Sequence, residues 1–299
     1  MKIKVGFVGL GHMGKWMAVN ILKKGHHLWV HDIDQEAMKF LADQGARESK
    51  SPAQMAGEAD FIFLSLPNAA VVEKVIFKED GIVSKAKAGL IVIDCGTTAY
   101  MSTLDFGRRL EQKGVRFLDA PVSGMEKRAQ DGRLTTMAGG EEEIFGKVKP
   151  VIEAYSDKVL FMGALGSGQL TKLINQLLFN ISAAAIAEVL PMSVKLGLDP
   201  AKVTQVITSG TGRSFAAEFF APLALEGRFD QGYPLEEAYK DMISAAEVCA
   251  HRKIPLPLVQ AAATTYQMAL AAGYGRESKG AMIKVFEGIL GVKFRRPGA

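Results

Sequence analysis

The sequence predicts an α/β protein in which a Rossmann-like, doubly wound parallel sheet is followed by an all-helical domain entered through one long helix. Three observations carry this. Short apolar runs alternate with helical spacing from residue 3 to residue 162. The first run ends in Gly9-Leu10-Gly11-His12-Met13-Gly14 and passes straight into a helical stretch. After Gly163 the strand-like runs stop and only helical spacing continues. Alternation of this kind builds right-handed βαβ units, hence a mostly parallel sheet covered on both faces.

Each element has a local reason. Ile3–Gly9 is a short apolar run closed by glycine, a buried strand. His12–Lys24 follows helical spacing, with Met13, Met17 and Ile21 on one side and Gly25 as the stop. Leu28–His31 is a second strand. Asp34 caps a helix running to Gln44, closed by Gly45. Asp60–Leu66 is a third strand ended by Pro67, Leu90–Asp94 a fourth, and Val115–Ala120 a fifth ended by Pro121. Tyr100–Lys113 and Glu141–Ala154 are helical, and Leu134–Ala138 and Lys158–Met162 add edge strands. Gly166-Ser167-Gly168 breaks the chain before one long helix, Gln169–Leu196. Further helices fit Pro200–Thr208, Leu235–Arg252, Pro257–Ala272 and Lys279–Gly288, and Phe294–Ala299 reads as a frayed basic tail. The expected division is a domain built on the parallel sheet and its glycine loop over 1–164 and an all-helical domain over 165–299.

Composition narrows the function classes. The chain has 299 residues, 48% hydrophobic and 23% charged, an ordinary globular balance. A net charge of +4 is too small an excess to point to a nucleic-acid partner. The two cysteines, Cys95 and Cys249, make no disulfide framework, and Cys95 sits in an apolar run as a small core residue. No secretory leader is read at the start, so the cytoplasm is the expected compartment. The longest apolar candidate, Leu173–Val194, contains Asn175, Gln176, Asn180, Glu188 and Pro191, and reads as a buried helix rather than a membrane span. The five histidines form no ligand spacing with the cysteines, so no metal site is expected.

The glycine loop carries the first chemistry. In Gly9-x-Gly11-x-x-Gly14 the first glycine allows the tight turn, the second lets a pyrophosphate approach the backbone, and the third lets helix pack on strand. The helix start adds N–H groups and the positive end of a dipole. Asp32 ends the second strand 18 residues after Gly14, where a carboxylate accepts hydrogen bonds from ribose hydroxyls. A carboxylate repels a 2′-phosphate, and Ile33 and Asp34 follow where an arginine would favour one. NAD is therefore expected ahead of NADP, with His31 a partial offset.

On Gly6 to Gly14, Asp119-Ala120-Pro121-Val122-Ser123-Gly124, Gly166-Ser167-Gly168 through Lys172 to Asn175, and Lys240-Asp241, the chain resembles the β-hydroxyacid dehydrogenase family over nearly its whole length. The resemblance implies hydride transfer between a nicotinamide cofactor and a small anionic β-hydroxy acid or its semialdehyde, of the size of 3-hydroxyisobutyrate, glycerate or 4-hydroxybutyrate. It implies that Gly9 to Gly14 (Leu10, His12 and Met13 included), Asp32, Leu66, Pro67, Thr97 and Lys240 bind the cofactor. It implies that Ser123 and Gly124 hold the substrate carboxylate, and that Lys172 is the general acid/base, with Asn175 and Gln176 beside it. It also implies a homodimer or homotetramer.

The residue types suit these roles. One positioned acid/base near the reacting oxygen serves both directions of an alcohol oxidation. Asn175 and Gln176 lie three and four residues after Lys172, on its helix face. A serine hydroxyl and the N–H groups of a small-residue turn bind carboxylates. Arg213, between glycines in Gly210-Thr211-Gly212-Arg213-Ser214, is a further carboxylate contact read from the loop itself. Two positions depart from the family pattern: Met125 stands where a second glycine is usual, and Gln176 where a second asparagine is usual. Lys127 and Arg128 read as solvated loop charges, with an extension of the anion site as the alternative. Two other readings stay open, an imine reductase on the same scaffold and a non-catalytic dinucleotide sensor. Lys172 argues against the first, and Ser123, Lys172 and Lys240 together argue against the second.

Overall fold

The computed structural model describes residues 3–296. It divides into two units, Met1–Lys172 and Leu173–Ala299. The division falls within the long helix, later in the chain than the 164/165 boundary read from the glycine break.

The first unit runs β1 (Lys4–Val8), α1 (Gly14–Lys23), β2 (His27–His31), α2 (Gln35–Ala42), β3 (Arg47–Glu48), α3 (Pro52–Glu58), β4 (Phe61–Leu64), α4 (Ala69–Phe77), β5 (Ile91–Asp94) and α5 (Tyr100–Glu111). It continues through β6 (Arg116–Asp119), β7 (Val122–Ser123), α6 (Met125–Gln130), β8 (Leu134–Gly139), α7 (Glu142–Ile152) and β9 (Ser156–Gly163) into the start of α8 (Ser167–Lys195). The sheet order is β3-β2-β1-β4-β5-β6-β8-β7, with β9 on β8. The strands from β3 to β6 are parallel, whereas β8 runs antiparallel to β6 and β7. The chain leaves β1 toward β2 and later returns to β1's other side with β4. This reversal of direction opens a crevice beyond the carboxyl ends of β1 and β4, where doubly wound sheets bind ligands.

The sheet is apolar on both faces because helices cover both. Val5, Phe7, Met17, Ile21, Val30 and Val148 fill one layer. Val8, Met55, Ile62, Leu64, Val72 and Phe106 fill the other. Side chains of this size each contribute about 1.5–3 kcal/mol on full burial. Asp34 caps α2, its Oδ1 accepting from the N–H groups of Glu36 (2.9 Å) and Ala37 (3.3 Å), as read from the sequence.

The second unit holds the rest of α8 with α9 (Pro200–Ser209), α10 (Phe215–Leu225), α11 (Leu235–Arg252), α12 (Pro257–Ala271) and α13 (Ile283–Leu290). Small residues let these helices approach closely: Ala183, Ala184, Ala187, Ala216, Ala238 and Ala262 are all buried in one cluster with Phe220 and Tyr266.

Four readings need correction. Lys127 and Arg128 lie on helix α6, not in a loop, and pair with Asp131 (3.2 Å) and Asp157 (3.4 Å). Helix α10 went unread because Pro222 interrupts a segment that is apolar all round. The stretch read as a helix over Lys279–Gly288 opens as a 3-10 turn, Lys279–Met282, before α13. The basic tail is not frayed over 294–296: Phe294 is fully buried, and Arg295 pairs at 2.7 Å with buried Glu287. Residues 297–299 of that tail lie outside the described residues. Helix α8 is also more apolar than the sequence reading allowed, with a mean hydropathy of 1.7 over its best window, enough by length and composition to cross a bilayer. Its polar residues are engaged inside the helical unit: Asn180 Oδ1 accepts from Lys279 (2.8 Å) and Glu188 Oε1 from Thr265 (3.2 Å), which marks it as a core helix.

Candidate active site

The glycine loop is shaped by its own backbone. Gly9 has φ +95°, and a Cβ there would stand 2.2 Å from the Ser65 carbonyl oxygen. A Cβ on Gly14 would stand 1.9 Å from the Gly9 carbonyl oxygen. These two glycines therefore serve the closeness of strand and helix. Gly11 differs: a Cβ there meets no protein atom within 4 Å. Helix α1 starts at Gly14 with no side-chain cap, its Lys15 N–H turns back to the Gly11 carbonyl at 3.2 Å, and the positive end of its dipole suits an anion. A backbone bare at Gly11 and an uncapped helix start fit a dinucleotide pyrophosphate.

Asp32 is fixed against this loop. Its Oδ2 accepts from Leu10 N–H at 2.5 Å and its Oδ1 from Asp34 N–H at 2.9 Å. Ile33 beside it is 97% exposed, and Asp32 itself is half-buried. His31 points elsewhere, its Nδ1 donating to the Ser49 carbonyl at 2.8 Å.

The other cofactor positions gather at the same edge. Leu66 is half-buried and Pro67 exposed just beyond β4. A Cβ on Gly96 would lie 2.8 Å from the Leu66 carbonyl oxygen, so the loop carrying Thr97 sits directly on the loop carrying Leu66. Thr97 itself is half-buried.

Ser123 closes β7 and pairs with Thr135 of β8. Gly124 follows at φ +145°, and a Cβ there would press on Leu134 at 2.9 Å and on Arg128 at 3.0 Å. Met125 then takes φ +61°, a left-handed conformation rarely held by a side chain of that size. Glu126 joins this turn to the cofactor loop. It accepts from Trp16 Nε1 at 2.9 Å and lies 3.4 Å from His12 Nδ1. The His12 side chain is 92% exposed, so that pair contributes little.

Lys172 lies early on α8 and is only 8% exposed. The helix start that carries it is gripped by Asp119, fully buried at the end of β6. Asp119 Oδ1 accepts from Gly166 N–H and Oδ2 from Gln169 N–H, both at 2.7 Å. Burial raises the Asp119 carboxyl above its ordinary pKa, against the pull of these N–H groups. Only glycine fits at 168, where a Cβ would stand 2.3 Å from the Met137 carbonyl oxygen. One short segment, Asp119 to Ser123, thus holds the lysine's helix at one end and presents the serine at the other.

In the helical unit, Gln176 Nε2 donates to Asp241 at 3.1 Å, so this amide links α8 to α11. Asn175 is exposed. Lys240 is 28% exposed and lies 3.9 Å from Glu237. Arg213 is 65% exposed and paired with Glu218 at 2.8 Å. The structure therefore brings the glycine loop, Asp32, Leu66 and Thr97 together, and joins the Ser123 turn to the glycine loop through Glu126. Sequence reasoning gave no role to Asp94, Thr98 or Gln169, and quoted Asp119 in a motif without assigning it one; all four are buried. The one available signal was a carboxylate ending each of two apolar strands.

Comparison with known proteins agrees with this geometry. Residues 4–163 match the family model for the NAD binding domain of 6-phosphogluconate dehydrogenase. Residues 166–286 match that for the NAD-binding domain of NADP-dependent 3-hydroxyisobutyrate dehydrogenase. The 2-(hydroxymethyl)glutarate dehydrogenase of Eubacterium barkeri is 36% identical, covering 97% of each chain. The L-threonate dehydrogenase of Cupriavidus necator is 34% identical, over 97% of this chain and 98% of that one. Among solved structures, 3-hydroxyisobutyrate dehydrogenase from Salmonella typhimurium superposes with a TM-score of 0.89 at 31% identity, over 95% of this chain and 100% of that one.

Proposed function

The chain belongs to the β-hydroxyacid dehydrogenase family, and from that premise we propose that it interconverts a small β-hydroxy acid and its semialdehyde, with Lys172 as general acid/base and NAD as the preferred cofactor. The carrying observation is the Asp119–Ser123 segment, which grips the start of the Lys172 helix and ends at Ser123, three residues before Glu126 bonds to Trp16 of α1.

A bound nicotinamide supplies or accepts the hydride. The residues of this chain do the rest. The Lys172 ammonium gives its proton to the carbonyl oxygen during reduction, and the free amine takes the hydroxyl proton back during oxidation. The Ser123 hydroxyl and the N–H groups of the following turn hold the substrate carboxylate, which fixes which carbon faces the lysine. The related dehydrogenases named for 2-(hydroxymethyl)glutarate and L-threonate act on hydroxy carboxylates, which supports an anionic substrate here. Asp32, a carboxylate held on both oxygens by backbone N–H groups, supports NAD over a 2′-phosphorylated cofactor.

The test is a steady-state screen of small semialdehydes with NADH and NADPH, run on the native protein and on Lys172→Ala. The variant should bind NADH as the native protein does and lose about 10²–10⁴-fold in turnover. Unchanged turnover removes Lys172 from the mechanism. Tight NADH binding with no turnover on any semialdehyde refutes the dehydrogenase reading.

A further inference from the structure

A buried polar chain in the first unit links the end of β5 to the start of α8. Asp94 accepts from Gly96 N–H at 2.9 Å and from Thr98 Oγ1 at 2.6 Å. Gln169, 3% exposed, reaches the same loop with both ends of its amide. Its Oε1 accepts from Thr98 N–H at 3.2 Å, and its Nε2 donates to the Gly96 carbonyl at 2.9 Å. The two bonds bracket Thr97 as a neighbouring strand would. Gln169's own N–H is held by Asp119, and Lys172 follows one helical turn later.

No other side chain does this at that length. At neutral pH an amide offers a donor and an acceptor side by side without charge; glutamate does so only while protonated and loses the donor when ionised, and asparagine is one methylene short. The bracket fixes the Thr97 loop, which lies on the Leu66 side of the cofactor crevice, to the helix that carries the lysine.

We propose that Gln169 is a positioning residue that sets the Thr97 loop, and with it the reacting face of the nicotinamide, at a fixed distance from Lys172. This rests on the general acid/base reading of Lys172. Displacing either partner by about 1 Å costs on the order of 10²-fold in rate even when binding survives.

The experiment compares the native protein with Gln169→Met, which keeps the length and removes both bonds, and Gln169→Glu. In the protein without cofactor, amide hydrogen exchange over residues 96–98 should quicken by about 10-fold in Gln169→Met, because the Thr98 N–H loses its acceptor. NADH affinity should change by less than about 3-fold while kcat falls about 10²-fold, and the isotope effect from deuterated NADH should rise toward its full value. Gln169→Glu gives a sharper readout. Its neutral carboxyl restores both donor and acceptor, so its kcat relative to the native protein should recover as pH falls from about 8 to about 5. A pH-independent ratio, or Gln169→Met turning over within about 3-fold of native, overturns the proposal. Lys172→Ala is run beside them. An inactive Lys172→Ala with an active Gln169→Met fails the bracket alone. An active Lys172→Ala with a slow Gln169→Met fails the lysine reading and with it the link proposed here.

Discussion

Two glycines of one loop should fail in opposite ways when given a methyl group. At Gly14 the new Cβ would stand 1.9 Å from the Gly9 carbonyl oxygen, a backbone atom that cannot swing aside. Reaching an ordinary contact requires strand and helix to part by more than about 1 Å, an overpacking cost of roughly 1–3 kcal/mol. At about 2–4 °C per kcal/mol for a chain of this order of size, the melting temperature of Gly14→Ala should fall by several degrees. At Gly11 the Cβ meets no protein atom, and the backbone is not left-handed. Alanine there should leave the melting temperature unchanged or raise it slightly, because the unfolded chain loses freedom worth about 0.4–1 kcal/mol. Yet the methyl group stands where the proposed cofactor placement brings the phosphate oxygens. Losing one charge-assisted hydrogen bond of about 1.5–3 kcal/mol weakens NADH by roughly 10- to 100-fold. The assay is differential scanning fluorimetry of the cofactor-free variants, followed by fluorescence titration with NADH. A Gly11→Ala protein that binds NADH like the native one refutes the placement of the pyrophosphate. A Gly14→Ala protein of native stability refutes the packing argument.

Two further outcomes follow from single residues. Asp32→Ala should weaken NADH by roughly 10-fold and narrow its lead over NADPH, since removing the carboxylate removes both a ribose acceptor and a repulsion; a native protein that already prefers NADPH contradicts the reading of Asp32. Cys95 is fully buried, and burial pushes its thiol from the ordinary 9.0 up to about 12. The fold therefore favours its neutral form, and that share of stability is intact below about pH 9 and is lost as pH rises toward about 12. Cys95→Ala should flatten the stability profile in that window, and a thiol reagent should modify Cys249 but not Cys95 until the protein unfolds; labelling of native Cys95 at neutral pH counts against its burial.

The elements legible in the sequence were those whose reason is local. β1, α1 and the glycine loop follow from an apolar run, a 3.6-residue period and three spaced glycines, and Asp34 announces α2 by capping it. Elements without a local reason were missed. β3 and β7 are two residues long and exist only because a neighbouring strand pairs with them. Helix α6 is short, charged and opens on a left-handed residue, all of which read as loop. The candidate site divides the same way. Gly9 to Gly14, Asp32, Ser123 and Lys172 stand in motifs of fixed spacing. Gln169 acts on residues 71 and 73 positions earlier, a relation that no window of sequence contains.

The left-handed Met125 has a consequence for how this protein can be altered. Holding a side chain in that region costs roughly 1–2 kcal/mol compared with glycine. Substitutions there start from a backbone already tuned for a residue without a Cβ, so glycine, and after it asparagine, should be tolerated with a gain in stability, while valine, isoleucine and threonine should be rejected. The position adjoins Ser123–Gly124, where the substrate carboxylate is proposed to bind. A library directed at new substrates thus has, next to the proposed carboxylate site, one residue whose mutational freedom runs downhill in size.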